Sequence, residues 1–89
     1  MVGMFATSKS GHDKDSLYII LREEAEYVYV VDGKIRTLER PKKKNKKHIQ
    51  IIKKHRDLTL TEALKEGSKV TDEQIKRAIK LLQMESKEL

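Results

Sequence analysis

Eighty-nine residues suffice for one domain with a small core. The absence of cysteine excludes disulfides, cysteine-based zinc sites and a thiol nucleophile, and no apolar run approaches the roughly 20 residues of a membrane-spanning helix. The net charge of +6 is unevenly spread: residues 1–39 carry five Lys/Arg against seven Asp/Glu, residues 40–56 nine against none, and residues 57–89 six against seven. A slightly acidic body with one concentrated basic segment predicts a polyanion site rather than general basicity.

The N-terminus, "MVGMFATSKS", has neither a basic region nor a long apolar one. It does not read as a signal peptide, and the expected location is cytoplasmic. "VGMFAT" (2–7) is a short strand candidate, followed by a turn-rich "SKSGHDKDS". "LYIIL" (17–21) is a continuous apolar run and reads as a buried strand. "YVYVV" (27–31) is wholly β-branched or aromatic, the composition that best suits a strand. Asp32 and Gly33 follow it and precede "KIRTLE" (34–39), which predicts a hairpin with a two-residue turn. "RPKKKNKKH" (40–48) then reads as a basic loop pinned between strands, since "HIQII" (48–52) is the fifth strand candidate. Five closely spaced short strands suit a small, strongly bent antiparallel barrel.

After residue 56 the periodicity becomes helical. Thr59 and Glu62 could box the start of a short helix over about 60–66, with Gly67 capping its end. Thr71 and Gln74 form a second capping box, flanked by Val70 and Ile75 at the staple positions. Ile75, Ala78, Ile79 and Leu82 then recur on one face of a helix of about four turns. Residues 1–56 are therefore expected to form the barrel. Residues 57–89 are expected to form a helical extension packed on it or beside it.

The N-terminal half resembles a KOW motif. The matching stretch is "VGMFATSKSGHDKDSLYII", with Gly3 opening the strand, Gly11 as the loop glycine and Lys14 just after it. "YVYVVDGKIRTLERPKKKNKKH", with the later "TDEQ", is similar to KOW-containing RNA-binding proteins related to large-subunit ribosomal proteins of the archaeal and eukaryotic type. One position departs from the family pattern: Asp15 stands where a second loop glycine is common, and its carboxylate would repel a phosphate. The resemblance implies an SH3-like barrel that binds RNA, often on the ribosome.

No catalytic constellation is evident. Ser10, His12 and Asp13 hold the letters of a hydrolytic triad, but adjacent turn residues cannot take up its geometry. His12, His48 and His55 match no zinc spacing, so no metal or other cofactor is expected. The expected function is non-catalytic RNA binding, with ribosomal RNA as the expected ligand. Lys9, Lys14, Arg40, Lys42, Lys43, Lys44, Lys46, Lys47 and His48 are the candidate contacts. Lysines act on phosphates as point charges and read no bases. Two alternatives remain: an adaptor docking an acidic protein, with the C-terminal helix as a partner surface, and a sequence-neutral DNA binder. Tyr27 and Tyr29 share one strand face, and two readings of them stay open. They pack as barrel wall, the more ordinary role at period two, or they stack unpaired bases. No membrane and no small-molecule substrate is expected.

Overall fold

Side-chain alternation over residues 27–31 organises the molecule, because both faces of the strand that they form are used. The computed structural model describes residues 1–9 and 16–86. It contains β1 (Phe5–Ser8), β2 (Leu17–Glu23), β3 (Tyr27–Val31), β4 (Lys42–Asn45), a 3-10 turn (Lys46–His48), β5 (Ile49–Ile52), α1 (Leu58–Glu66) and α2 (Asp72–Ser86). Gly11, His12, Asp13, Lys14 and Asp15 lie outside the described residues.

The strands form one antiparallel sheet in the order β4-β3-β2-β1-β5. Successive residues point to opposite faces, and each face has its own core. Phe5, Ile19 and Val31 join Leu60 of α1 and Ile75, Ala78, Ile79 and Leu82 of α2. Ala6, Tyr18, Ile20, Val28, Val30 and Ile49 form the second core from strand residues alone. Burying one such aliphatic side chain is worth about 1.5–3 kcal/mol. The second face is covered because the sheet curls. Lys44 Nζ on β4 hydrogen-bonds Ser8 Oγ on β1. In a flat sheet these strands would lie three spacings apart, roughly 14 Å, beyond one lysine side chain. β4 and β5 end the order, and no ladder joins them among the described residues.

The hairpin expected at Asp32-Gly33 is not formed, and "KIRTLE" is not a strand. Asp32 Oδ1 accepts from the Lys34 and Arg36 amides at 2.8 and 2.9 Å. The Leu38 amide donates to Asp72 Oδ1 on α2 at 2.9 Å. These donors are thereby withdrawn from any ladder. Gly33 has φ +80°, and a Cβ there would come within 2.5 Å of the Asp72 carbonyl oxygen. The segment is thus a turn seated on the start of α2. The fourth strand is displaced into the lysine run itself. A lysine-rich edge strand is physically sound, because charge at an edge discourages pairing with other chains.

Both helices are present, with one change of cap. α1 begins at Leu58, and its cap is Asp57, whose Oδ1 accepts from the Leu60 amide at 2.9 Å, rather than Thr59. Gly67 ends α1 as expected. The Thr71–Gln74 box is made in both directions, with Thr71 N–H donating to Gln74 Oε1 at 2.8 Å and Gln74 N–H to Thr71 Oγ1 at 3.3 Å. The apolar face of α2 packs on the sheet.

Candidate nucleic-acid interface

The basic segment is carried by an edge strand and a turn, and strand alternation divides its charges. Lys42 and Lys44 pair with Val30 and Val28, and Lys43 and Asn45 with Tyr29 and Tyr27. Lys42 and Lys44 are therefore on the side of the inner core, and both are half-buried. Their stems can cover apolar surface while the ammonium groups reach outward. Burial, followed by the charge of Lys42, holds the Lys44 ammonium below the usual lysine range. Lys43 is exposed on the opposite face.

Asn45 interrupts the lysines for a local reason. Its Oδ1 accepts from the Lys47 amide at 2.9 Å and starts the 3-10 turn. The turn exposes Lys47 and His48. Lys46 folds back, and its Nζ lies 2.7 Å from Glu23 Oε2. The other carboxylate oxygen of Glu23 accepts from the Met1 amino group at 3.0 Å. These two cations, Lys46 first, hold the Glu23 carboxyl below its ordinary value. Pairing of β1 with β5 brings in Lys9, whose amide donates to the His48 carbonyl at 2.8 Å. Arg40 is exposed just before Pro41.

The structure thus assembles Lys9 and His48 at one strand end and leaves Arg40, Lys43 and Lys47 exposed along the edge. It turns Lys42 and Lys44 toward the inner core and engages Lys46 with Glu23. Lys14 lies outside the described residues.

One cation was not foreseen. Ile19 and Ile20 pair with Val31 and Val30, but Arg22 pairs with Tyr29, so Leu21 is an extra residue, a β-bulge. A bulge re-aims the side chains that follow it. Arg22 is thereby set opposite Tyr29, with its Cζ 4.1 Å from the ring centroid. Lys43 Nζ lies 4.3 Å from the Tyr27 centroid. Cations at this distance over a tyrosine ring are attracted by its quadrupole. Alternation alone would put Arg22 on the other face, and nothing in the sequence signals the bulge. Val28, Val30 and Val31 are the buried residues of β3, while Tyr27 and Tyr29 line its outer face, Tyr29 half-buried beside Leu64 and Lys65 of α1.

Among the described residues, no group of three or more histidines and acids is placed to hold a metal ion, and no helix is long and apolar enough to cross a membrane. No protein-family model matches the chain, and no curated protein matches it significantly.

Proposed function

We propose that this protein is a non-catalytic RNA-binding module of the cytoplasm, built as an SH3-like barrel of the KOW type and holding structured RNA, ribosomal RNA first, on its β4 edge. The observation that carries this reading is the acid-free cationic segment on a folded edge. Nine Lys/Arg fall within residues 40–56, and Arg40, Lys43, Lys47 and His48 are exposed on one strand and the turns flanking it. A charge presented on ordered backbone loses less entropy on binding than one on a free tail. The strand order and the curl of the sheet support the barrel class, and the KOW resemblance supports RNA over other polyanions. Lys9 and His48 extend the surface, and Lys42, Lys44 and Lys46 add to its field.

Counterion release supplies the test. With about four phosphates engaged, log K should fall against log salt with a slope of roughly −3 to −4. Changing Arg40, Lys43 and Lys47 together to Gln should flatten the slope by roughly 2–3. Folding should hardly change, because exposed cations contribute little to it. The measurement is a salt titration of both proteins on an RNA hairpin and on a DNA duplex of equal length. An unchanged slope in the triple variant would remove the site. Equal affinity for RNA and DNA would make the protein a general polyanion binder. Absence of binding to either would leave the acidic-protein adaptor as the reading to pursue.

A further inference from the structure

We infer that the outer face of β2 and β3 is a stacking site for an unpaired base, built on Arg22 and Tyr29, so that the RNA taken by this surface carries a bulged or single-stranded nucleotide beside a duplex. The inference rests on the RNA-binding reading and specifies its ligand.

Three observations meet at this place. First, the bulge at Leu21 moves Arg22 across the sheet and sets it against Tyr29. Arg22 is exposed, and bases stack on arginine planes as they do on aromatic rings. Secondly, Arg22 and Tyr29 border a groove of about 560 Å³ whose other walls include Val2, Leu38, Pro41 and Leu64. That volume falls within the roughly 300–1,000 Å³ of small-ligand sites, which are apolar clefts with a few placed polar groups. Thirdly, the rim is cationic. Lys65 also lines the groove, Arg40 adjoins Pro41, and Lys43 sits beside Tyr29 on the same face. Among the described residues Glu23 is the one acid that lines the groove, and its two carboxylate oxygens accept from Lys46 and the Met1 amino group.

The chemistry selects the occupant. A paired base offers no open face, because its neighbours in the helix cover both. An unpaired base can leave the stack, enter the groove and lie on Arg22, while its flanking phosphates meet Lys43 and Arg40. The Lys43 ammonium is a point charge on a flexible stem, so it can move from the Tyr27 ring to a phosphate and expose that ring to the next base. An acidic peptide would satisfy the rim but would leave the flat faces of Arg22 and Tyr29 unused.

The test uses two RNA hairpins of equal length and charge, one fully paired and one with a single bulged 2-aminopurine. The full-length protein is expected to bind the bulged hairpin about tenfold more tightly, within the range that one stacked base is worth, and to quench its 2-aminopurine fluorescence. Arg22→Lys keeps the charge and removes the plane, so it should bring the bulged hairpin down to the paired one and restore the fluorescence. Tyr29→Phe keeps a ring and should retain the preference, whereas Tyr29→Leu should lose it. Equal binding of both hairpins by the unaltered protein would overturn the stacking site and leave the RNA reading standing. A preference that survives Arg22→Lys and Tyr29→Leu would also overturn it. Binding of neither hairpin would overturn both readings. Release of the quenched bulge by polyglutamate at equal charge concentration, but not by a paired hairpin, would assign the face to an acidic protein instead.

Discussion

At the scale of single residues, Gly3 shows how one backbone position ties two elements together. It has φ +85°, and a Cβ there would lie 2.4 Å from Thr61 Oγ1 and 2.8 Å from Thr61 Cα. Its amide donates to the Ile20 carbonyl at 2.8 Å, and its carbonyl accepts from Thr61 Oγ1 at 3.3 Å. Residue 3 therefore seats α1 on the turn that precedes β1 through a contact with no room for a side chain. Gly3→Val combines left-handed backbone strain with overpacking against a buried helix residue. It should cost about 2–5 kcal/mol, read as a fall in the urea midpoint. A midpoint within error of the unaltered protein would mean that Thr61 does not close on Gly3. The sequence resemblance marks Gly3 as the opening of a strand. Its partner, 58 positions away, has no local signature, which is why the contact emerges only from the fold.

Elements were legible where the signal is local and illegible where backbone groups are claimed from a distance. The Thr71–Gln74 box involves residues three apart, and it forms as the spacing predicts. Val28 and Val30 separate from Tyr27 and Tyr29 by period two, as any strand requires. "KIRTLE" failed as a strand because Asp32 and Asp72 take its amides, and Asp72 lies 34 positions from Leu38. The lysine run became the fourth strand for the complementary reason: once 34–39 is a turn, residues 42–45 are the stretch left to pair with β3. The bulge at Leu21, on which the Arg22–Tyr29 contact depends, has neither glycine nor proline to announce it. Asp72 gives the element-scale prediction. Its carboxylate anchors the turn at Leu38 and also sits in the first turn of α2, where negative charge is favoured. Asp72→Ala should cost about 1–2 kcal/mol and speed amide exchange at Leu38. Asp72→Asn keeps the acceptor and should recover the Leu38 protection. Fast exchange in the Asn variant as well would mean that the carboxylate charge, rather than the hydrogen bond, holds the turn.

For the molecule as a whole, the decisive feature is one sheet shared by two cores. β1 gives Phe5 to the helix side and Ala6 to the inner side, and β2 gives Ile19 and Ile20 in the same way. Loosening one core should disturb strands that hold the other, which would make α2 part of one cooperative unit rather than an independent arm. Tyr18 provides a probe of this coupling, because it belongs to the inner core and α2 does not touch that core. Burial pushes the Tyr18 phenol above its ordinary value of 10.0, a hydrogen bond with Ser16 and the charge of Arg36 partly oppose this, and the charge of Asp32 adds to the rise. A group whose folded value is raised contributes stability that is complete below pH 10 and is lost as pH climbs through the folded value. Lys44 acts with the opposite sign: its lowered value makes stability rise as pH approaches 10.5. The Tyr18 contribution is therefore isolated as the difference between the protein and Tyr18→Phe, followed by phenolate absorbance and by urea midpoint above pH 9. In the intact chain the Tyr18 phenolate should appear above pH 10, together with loss of structure. A chain ending at Thr71 lacks Ile75, Ala78, Ile79 and Leu82, and leaves Phe5, Ile19 and Val31 with Leu60 of α1 as their buried helix partner. If the two cores stand or fall together, Tyr18 in that shortened chain should ionise near pH 10 and the urea transition should lose its cooperativity. A phenolate still delayed in the shortened chain would show that the inner core holds by itself. In that case α2 would be free to leave the sheet, and its apolar face would become a surface for a protein partner.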